Sequence, residues 1–207
     1  MTFEGGDGSG KTTQIAALAS YLGDRGRDCL LTREPGGTSL GKMIRQAVVQ
    51  VGDQEIAPST ELFLYLADRA QHVSEVIEPA IAAGKLVLCD RFTDSTLAYQ
   101  GYGRGIDLKQ LRQFNDIADR GVRPDLTLLL DCPVEQGLAR TARRPSKSGQ
   151  PQEDRFEREE IEFHRRVRAG FLELARAEPA RFRIIDASRS EAEVAADIRE
   201  VIDRELG

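Results

Sequence analysis

The chain has 207 residues, 40% hydrophobic and 30% charged, with a net charge of −5. That length suits one large domain or two small ones with a substantial core. The acidic balance argues against a protein that grips nucleic acid through its phosphates. No apolar run nears the ~20 residues of a membrane helix, and no charged-then-apolar leader precedes the first motif. The cytoplasm is the expected compartment. Cys29, Cys89 and Cys132 are widely spaced and sit in apolar runs, so they read as reduced, buried residues. His72 and His164 are too few for a histidine-based triad or zinc cluster.

The first strand, Met1–Glu4, is so short that the start reads as clipped or mis-assigned by a few residues. It runs into Glu4-Gly5-Gly6-Asp7-Gly8-Ser9-Gly10-Lys11-Thr12-Thr13, which fits G-x-x-x-x-G-K-[ST]. Glycines let successive N–H groups turn inward as an anion nest, and the helix that follows adds unpaired donors and partial positive charge. Lys11 would reach the β- and γ-phosphates of a nucleoside triphosphate, and the Thr12 hydroxyl would hold Mg²⁺. Gly5 to Thr13 are the ATP-binding candidates.

Thr12 to Leu22 reads as a helix with Ile15, Leu18, Ala19 and Leu22 on one face, ended by Gly23 and Gly26. Cys29–Thr32 reads as a buried strand, and Arg33-Glu34-Pro35-Gly36-Gly37-Thr38 as a turn. Leu40 to Val51 fits a helix, and Gly52 to Pro58 is polar punctuation. A long helix starts at Pro58-Ser59-Thr60, with Ser59 or Thr60 as cap. Leu66, Ala70, Val73 and Ile77 make one face; Tyr65, Arg69 and His72 make the next. Pro79 should bend this helix and Gly84 end it. Leu86–Cys89 is a buried strand followed by Asp90-Arg91. Phe92 to Arg104 mixes loop and helix.

Asp107 opens a further helix with Gln110 placed for a capping box; its apolar face is Leu108, Leu111, Phe114 and Ala118. Leu126–Leu130 is a strand ending in Asp131. A helix follows from Val134 to Arg144, then a mobile loop, Pro145 to Gln152. Arg155 to Ala177 reads as a charged helix, Phe182–Ile185 as the last strand, and Ser190 with Glu193 as the cap of a final helix. Apolar strands alternating with helices describe an α/β fold: a five-stranded parallel sheet flanked by helices, in a single domain over 1–207. Ligands in such sheets bind at the carboxyl ends of the strands, where Arg33, Asp90-Arg91, Asp131 and Asp186 lie.

The chain has no Asn-Lys-x-Asp guanine reader and no Ser-Gly-Gly-Gln-type signature, which argues against GTPases and ABC ATPases. Arginines at several strand ends suit transfer between two phosphates, where the repulsion of two polyanions must be neutralised.

The chain resembles thymidylate kinase, a P-loop nucleoside monophosphate kinase, over essentially its whole length. The likeness rests on the phosphate loop, on Thr32-Arg33-Glu34-Pro35-Gly36-Gly37-Thr38, on Asp90-Arg91-Phe92 with Ser95-Thr96-Leu97-Ala98-Tyr99-Gln100-Gly101, and on the basic segment near Arg143 to Arg155. It implies transfer of the γ-phosphoryl group of ATP to dTMP with Mg²⁺, and a homodimer. It implies that Asp7 holds the 3′-hydroxyl of dTMP and that Arg33 serves the acceptor site. Tyr65 (usually Phe in the family) and Arg69 would pack on thymine, and Arg91 would clamp the dTMP phosphate. Ser95, Thr96 and Gln100 would line the base pocket, and Tyr99 would leave no room for a 2′-hydroxyl.

Asp90 is favoured over Asp131 to position the metal. The lid, about 140–156, would supply catalytic charge through Arg143, Arg144 or Arg155, and Arg140 would pack on adenine. Some relatives place an arginine where this chain has Gly8, so here the lid should carry that charge. The resemblance also allows a cis Glu34–Pro35 bond. Two other readings stay open: a deoxynucleoside kinase with Glu34 as base, and a non-catalytic nucleotide-binding module.

Overall fold

The computed structural model describes residues 1–49, 56–143, 155–156 and 159–206. Five strands form one parallel sheet among them: β1 (Thr2–Glu4), β2 (Cys29–Arg33), β3 (Leu86–Asp90), β4 (Thr127–Asp131) and β5 (Phe182–Asp186), in the order β2-β3-β1-β4-β5. β1 pairs with β3 on one side (Phe3 with Asp90) and with β4 on the other (Phe3 with Leu128). The connection after β1 runs toward β2 and the one after β3 crosses to β4 on the other side, so the two diverge and a crevice opens at the carboxyl ends of β1 and β3.

Alternation within the strands builds a core on each face. Leu128 and Leu130 pack with Phe3, Leu88 and Ile185 against α1 (Lys11–Gly23) and α9 (Glu191–Leu206). Leu129 points the other way, into a cluster with Leu62, Leu97, Leu111, Phe163 and Phe171. That cluster joins α3 (Pro58–His72), α6 (Leu108–Ala118) and α8 (Ile161–Ala177). Each fully buried leucine of this kind is worth about 1.5–3 kcal/mol. β2 differs from its expected burial: it is an edge strand, and Leu31 is exposed.

The remaining helices are α2 (Ser39–Val49), α4 (Glu78–Ala82), the short α5 (Thr93–Thr96) and α7 (Val134–Ala142). Asp107 caps α6 by accepting from the Gln110 N–H at 2.9 Å, and Ser190 with Glu193 forms a reciprocal cap ahead of α9. The reciprocal cap of α9 agrees with the sequence, and at α6 the Asp107 half of the expected capping box is in place. Several expected boundaries shift. Ala57, not Ser59 or Thr60, caps α3, because Pro58 takes the first helical position, where its missing N–H leaves nothing unpaired. Ala70 lies on the exposed side of α3, and the buried side carries Asp68, Arg69 and His72. Ahead of Pro79, where a bend is expected, the helix widens into a π-helical turn, Val73–Ile77, in which the Glu78 N–H reaches back to the Val73 carbonyl. α8 begins at Ile161, and Arg155 and Phe156 form a turn ahead of it. The loop expected at Pro145 to Gln152, Arg144, and the end of the helix expected at Val51 lie outside the described residues.

Candidate active site

The phosphate loop connects β1 to α1 through three left-handed glycines, Gly5, Gly8 and Gly10. A Cβ at Gly5 would stand 2.4 Å from the Leu130 carbonyl oxygen, and one at Gly8 would stand 2.0 Å from the carbonyl oxygen of Gly137 on α7. Only glycine fits either place. Gly10 precedes α1, so the first N–H groups of that helix face the loop. Lys11 folds over it, donating to the carbonyls of Gly5 (3.0 Å) and Gly6 (2.8 Å). Burial, and next the Arg91 charge, lower the Lys11 pKa to about 8 against the opposing pull of Asp90, Asp7 and Glu4.

Two clefts meet at this loop. One is lined by Asp7, Gly8, Lys11, Thr12, Arg33, Tyr65, Arg69, Asp90, Arg91, Ser95, Thr96, Tyr99 and Gln100, so it gathers every acceptor-side residue expected from sequence. The other is lined by Gly8, Ser9, Gly10, Thr13, Arg140 and the turn after β5. Arg140 is tied to that turn through the carbonyls of Ala187 (2.8 Å) and Ser188 (3.3 Å).

In the first cleft Asp7 turns away from the phosphate nest. Arg91 donates to one of its oxygens at 2.6 Å and the Tyr99 hydroxyl to the other at 2.9 Å. Burial alone would raise the Asp7 pKa; the charges of Arg91 and Lys11 and the Tyr99 bond overcome it and hold the carboxyl below the usual range. Burial pushes the Tyr99 hydroxyl well up, so it stays a donor. Tyr99 and Gln100 reach the cleft from a π-helical turn, Leu97–Gly103, packed on α8. Ser95 accepts from Arg91 Nη1 at 3.2 Å. Arg33 is exposed at the cleft rim.

Behind the cleft lies a buried charged layer that the sequence reading did not assemble. Glu34 gives one oxygen to Arg69 Nε at 2.8 Å and the other to His72 Nδ1 at 2.9 Å. Arg69 is almost completely buried, and it also binds the Thr96 hydroxyl, the Asn115 side chain and the Phe92 carbonyl. Arg69 therefore fixes the Thr96 hydroxyl at the wall of the first cleft. The Glu34–Pro35 bond is cis. Tyr65 is half-buried beside the ring of Phe156, which also meets Tyr99 edge-on, at a centroid distance of 5.6 Å. Phe156 and His72 are not among the residues the sequence assigns to this site, and Glu34 enters there only as the base of a deoxynucleoside kinase. For Asp68, Arg69 and His72 the available signal is three ionisable residues in one stretch of helix, with His72 four residues from Asp68 and three from Arg69.

Thr12 donates its hydroxyl to Asp90 at 2.9 Å, which brings two oxygen ligands of the kind Mg²⁺ takes to one point. Asp131 is instead held by Arg168 through both oxygens, at 2.6 and 2.8 Å. Neither Arg143 nor Arg155 lines either cleft. Arg143 is exposed at the end of α7. Arg155 is paired with buried Glu61 and donates from Nε to the Val48 carbonyl at 3.1 Å.

The family model for thymidylate kinase matches residues 3–198. A thymidylate kinase of Desulfovibrio desulfuricans is 54% identical over 207 residues, covering 100% of this chain and 95% of that protein. One from Synechococcus sp. is 55% identical over 206 residues, with the same shares. The chain belongs to the thymidylate kinase family. The crystal structure of thymidylate kinase from Ehrlichia chaffeensis superposes with a TM-score of 0.78 at 35% identity, covering 97% of this chain and 96% of that one. The fold is that of a P-loop nucleoside monophosphate kinase.

Proposed function

We propose how this chain performs the reaction of its family, transfer of the γ-phosphoryl group of ATP to dTMP, giving dTDP and ADP. It works as one domain with a lid over about 140–156. The observation that carries the reading is the two-sided phosphate loop: Gly8 to Gly10 and Thr13 line one cleft, and Asp7, bound to Arg91 and Tyr99, lies in the other, with Lys11 between the loop carbonyls and that cleft. ATP sits on Gly5 to Thr13 with adenine against Arg140. Asp7 takes the 3′-hydroxyl of dTMP, and Arg33 and Arg91 take its phosphate. Tyr65 faces thymine, Arg69 holds Thr96 toward the base edge, Ser95 and Gln100 complete the pocket, and Tyr99 closes the space a 2′-hydroxyl would need.

The acceptor phosphate is already anionic, so no general base and no covalent intermediate are required. Lys11, Arg91 and the lid offset the repulsion between the two polyanions, and most of the catalysis is positioning and electrostatics. Arg143, exposed at the end of α7, swings in to bring charge to the transferred group, and Arg155 does so after release from Glu61. Thr12 and Asp90 hold Mg²⁺, which supplies charge neutralisation on the triphosphate when bound.

A deoxynucleoside kinase would use Glu34 as base, but both Glu34 oxygens are engaged by Arg69 and His72. Exposed Phe63, Ile117 and Met43 suit burial in a homodimer, which light scattering tests. No described helix is long and apolar enough to cross a membrane, and we place the protein in the cytoplasm. A panel of nucleoside monophosphates, with thymidine beside them, tests the assignment with Mg·ATP. dTMP should turn over fastest; faster thymidine phosphorylation would overturn it.

A further inference from the structure

Glu4 ends β1 and opens the phosphate loop, yet neither the loop motif nor the acceptor pocket gives it a task. Its side chain is completely buried. A carboxyl group so placed is unfavourable unless it is hydrogen-bonded. Both oxygens are: one accepts from the Phe92 backbone N–H at 2.7 Å, and the other meets the Ser95 hydroxyl at 2.6 Å.

Both partners frame Arg91. That residue has a φ of +70°, a left-handed conformation that an arginine keeps only when its surroundings impose it. Its own N–H donates to the Phe3 carbonyl at 3.0 Å, which fixes its entry from β3. Its exit is fixed by the Phe92 N–H on Glu4. The turn between the two brings the guanidinium back over the loop, where Nη1 meets the Gly5 carbonyl at 3.0 Å and Nη2 meets Asp7 at 2.6 Å. Ser95, the second group held by Glu4, is also the hydroxyl against which Nη1 rests.

We propose that Glu4 is a positioning residue for phosphoryl transfer: its buried carboxyl group clamps the Phe92 N–H and the Ser95 hydroxyl, and so holds Arg91 in the turn that aims its guanidinium at the acceptor phosphate. The proposal rests on the role given to Arg91 above. Burial, and then the nearby Asp94, raise the Glu4 pKa to about 8, against the bonds from Ser95 and Phe92 and the Arg91 charge. The clamp does not depend on that proton, because a neutral and an ionised carboxyl group both offer one contact to each partner. Glutamine, the isostere of the neutral form, offers them as well, its carbonyl to Phe92 and its amide to Ser95.

The test is steady-state kinetics of E4Q, E4A and R91A, with dTMP and Mg·ATP each varied, alongside thermal unfolding. E4Q should stay within about threefold of the parent in kcat/KM for dTMP. E4A should lose about 100-fold in kcat/KM for dTMP while its KM for ATP changes less than about threefold. R91A should lose at least as much as E4A, and E4A/R91A no more than R91A alone, because the two act as a unit. Should E4A fail to fold, Glu4→Leu fills the same space without either bond and carries the same expectation. A kinetically intact E4A or E4L beside an impaired R91A overturns the Glu4 proposal and leaves Arg91 its role. A fully active R91A overturns the role of Arg91 itself. An E4Q as impaired as E4A, or an E4A loss shared equally by both substrates, reduces Glu4 to a purely structural residue.

Discussion

The Tyr99 hydroxyl donates to Asp7 at 2.9 Å and so joins the π-helical turn to the tip of the phosphate loop. This bond, with that from Arg91, explains how an anion-binding loop tolerates a carboxylate: the negative charge is drawn toward the acceptor cleft. Tyr99→Phe removes a hydrogen bond to a charged group, worth about 1.5–3 kcal/mol. It should lower kcat/KM for dTMP by roughly 10- to 100-fold. Tyr99→Ala should in addition relax discrimination against the ribonucleotide. Competition between the two monophosphates measures this, and an unchanged preference would remove that role.

Lys11→Ala should abolish turnover with the fold kept, as read by circular dichroism. The parent should also show a pH effect. The Lys11 pKa is lowered to about 8, so its charge is present below that value and lost above it. Since kcat/KM reports the free enzyme, kcat/KM for ATP should fall as pH rises through about 8. The limb in kcat should lie higher, because bound phosphates favour the charged amine. A kcat/KM profile that stays flat well past about pH 9 would contradict this assignment.

Arg69→Met strips Glu34 of its guanidinium partner in a site closed to water. Breaking a buried pair from one side costs about 3–5 kcal/mol. Denaturant unfolding should show a loss of that order, and KM for dTMP should rise because Thr96 loses its anchor. A stability change below about 1 kcal/mol would mean that Glu34 sheds its charge or finds water.

The metal assignment separates two aspartates. Asp90→Asn should raise the Mg²⁺ concentration needed for half-maximal rate. Asp131→Asn should leave that requirement unchanged and loosen only its pair with Arg168. The reverse result would move the metal role to Asp131.

Much of this arrangement could be read from the chain. Strand order aside, the five strands and the phosphate loop follow from apolar runs and from glycines whose positive φ no other residue takes readily. That Arg91, Ser95, Thr96, Tyr99 and Gln100 share one cleft was legible because they are close in sequence. The pairing of Glu34 with His72 and the place of Phe156 were not, because they depend on contacts between distant segments: Phe156 meets Tyr99 across 57 positions of sequence. The helix expected from Arg155 failed for a related reason. Arg155 is drawn into a turn by Glu61 and by the carbonyls of Val48 and Val49, contacts that helical periodicity does not register.

Gly8 and Gly137 pack backbone to backbone, and the φ of Gly8 is +71°. An arginine at position 8 would meet α7 before its guanidinium reached any phosphate. A positive charge carried at this point of the loop is thus closed to this backbone by a single substitution. Grafting the loop arginine would call for a matched exchange of the first turn of α7, and a library that varies position 8 alone should return only glycine.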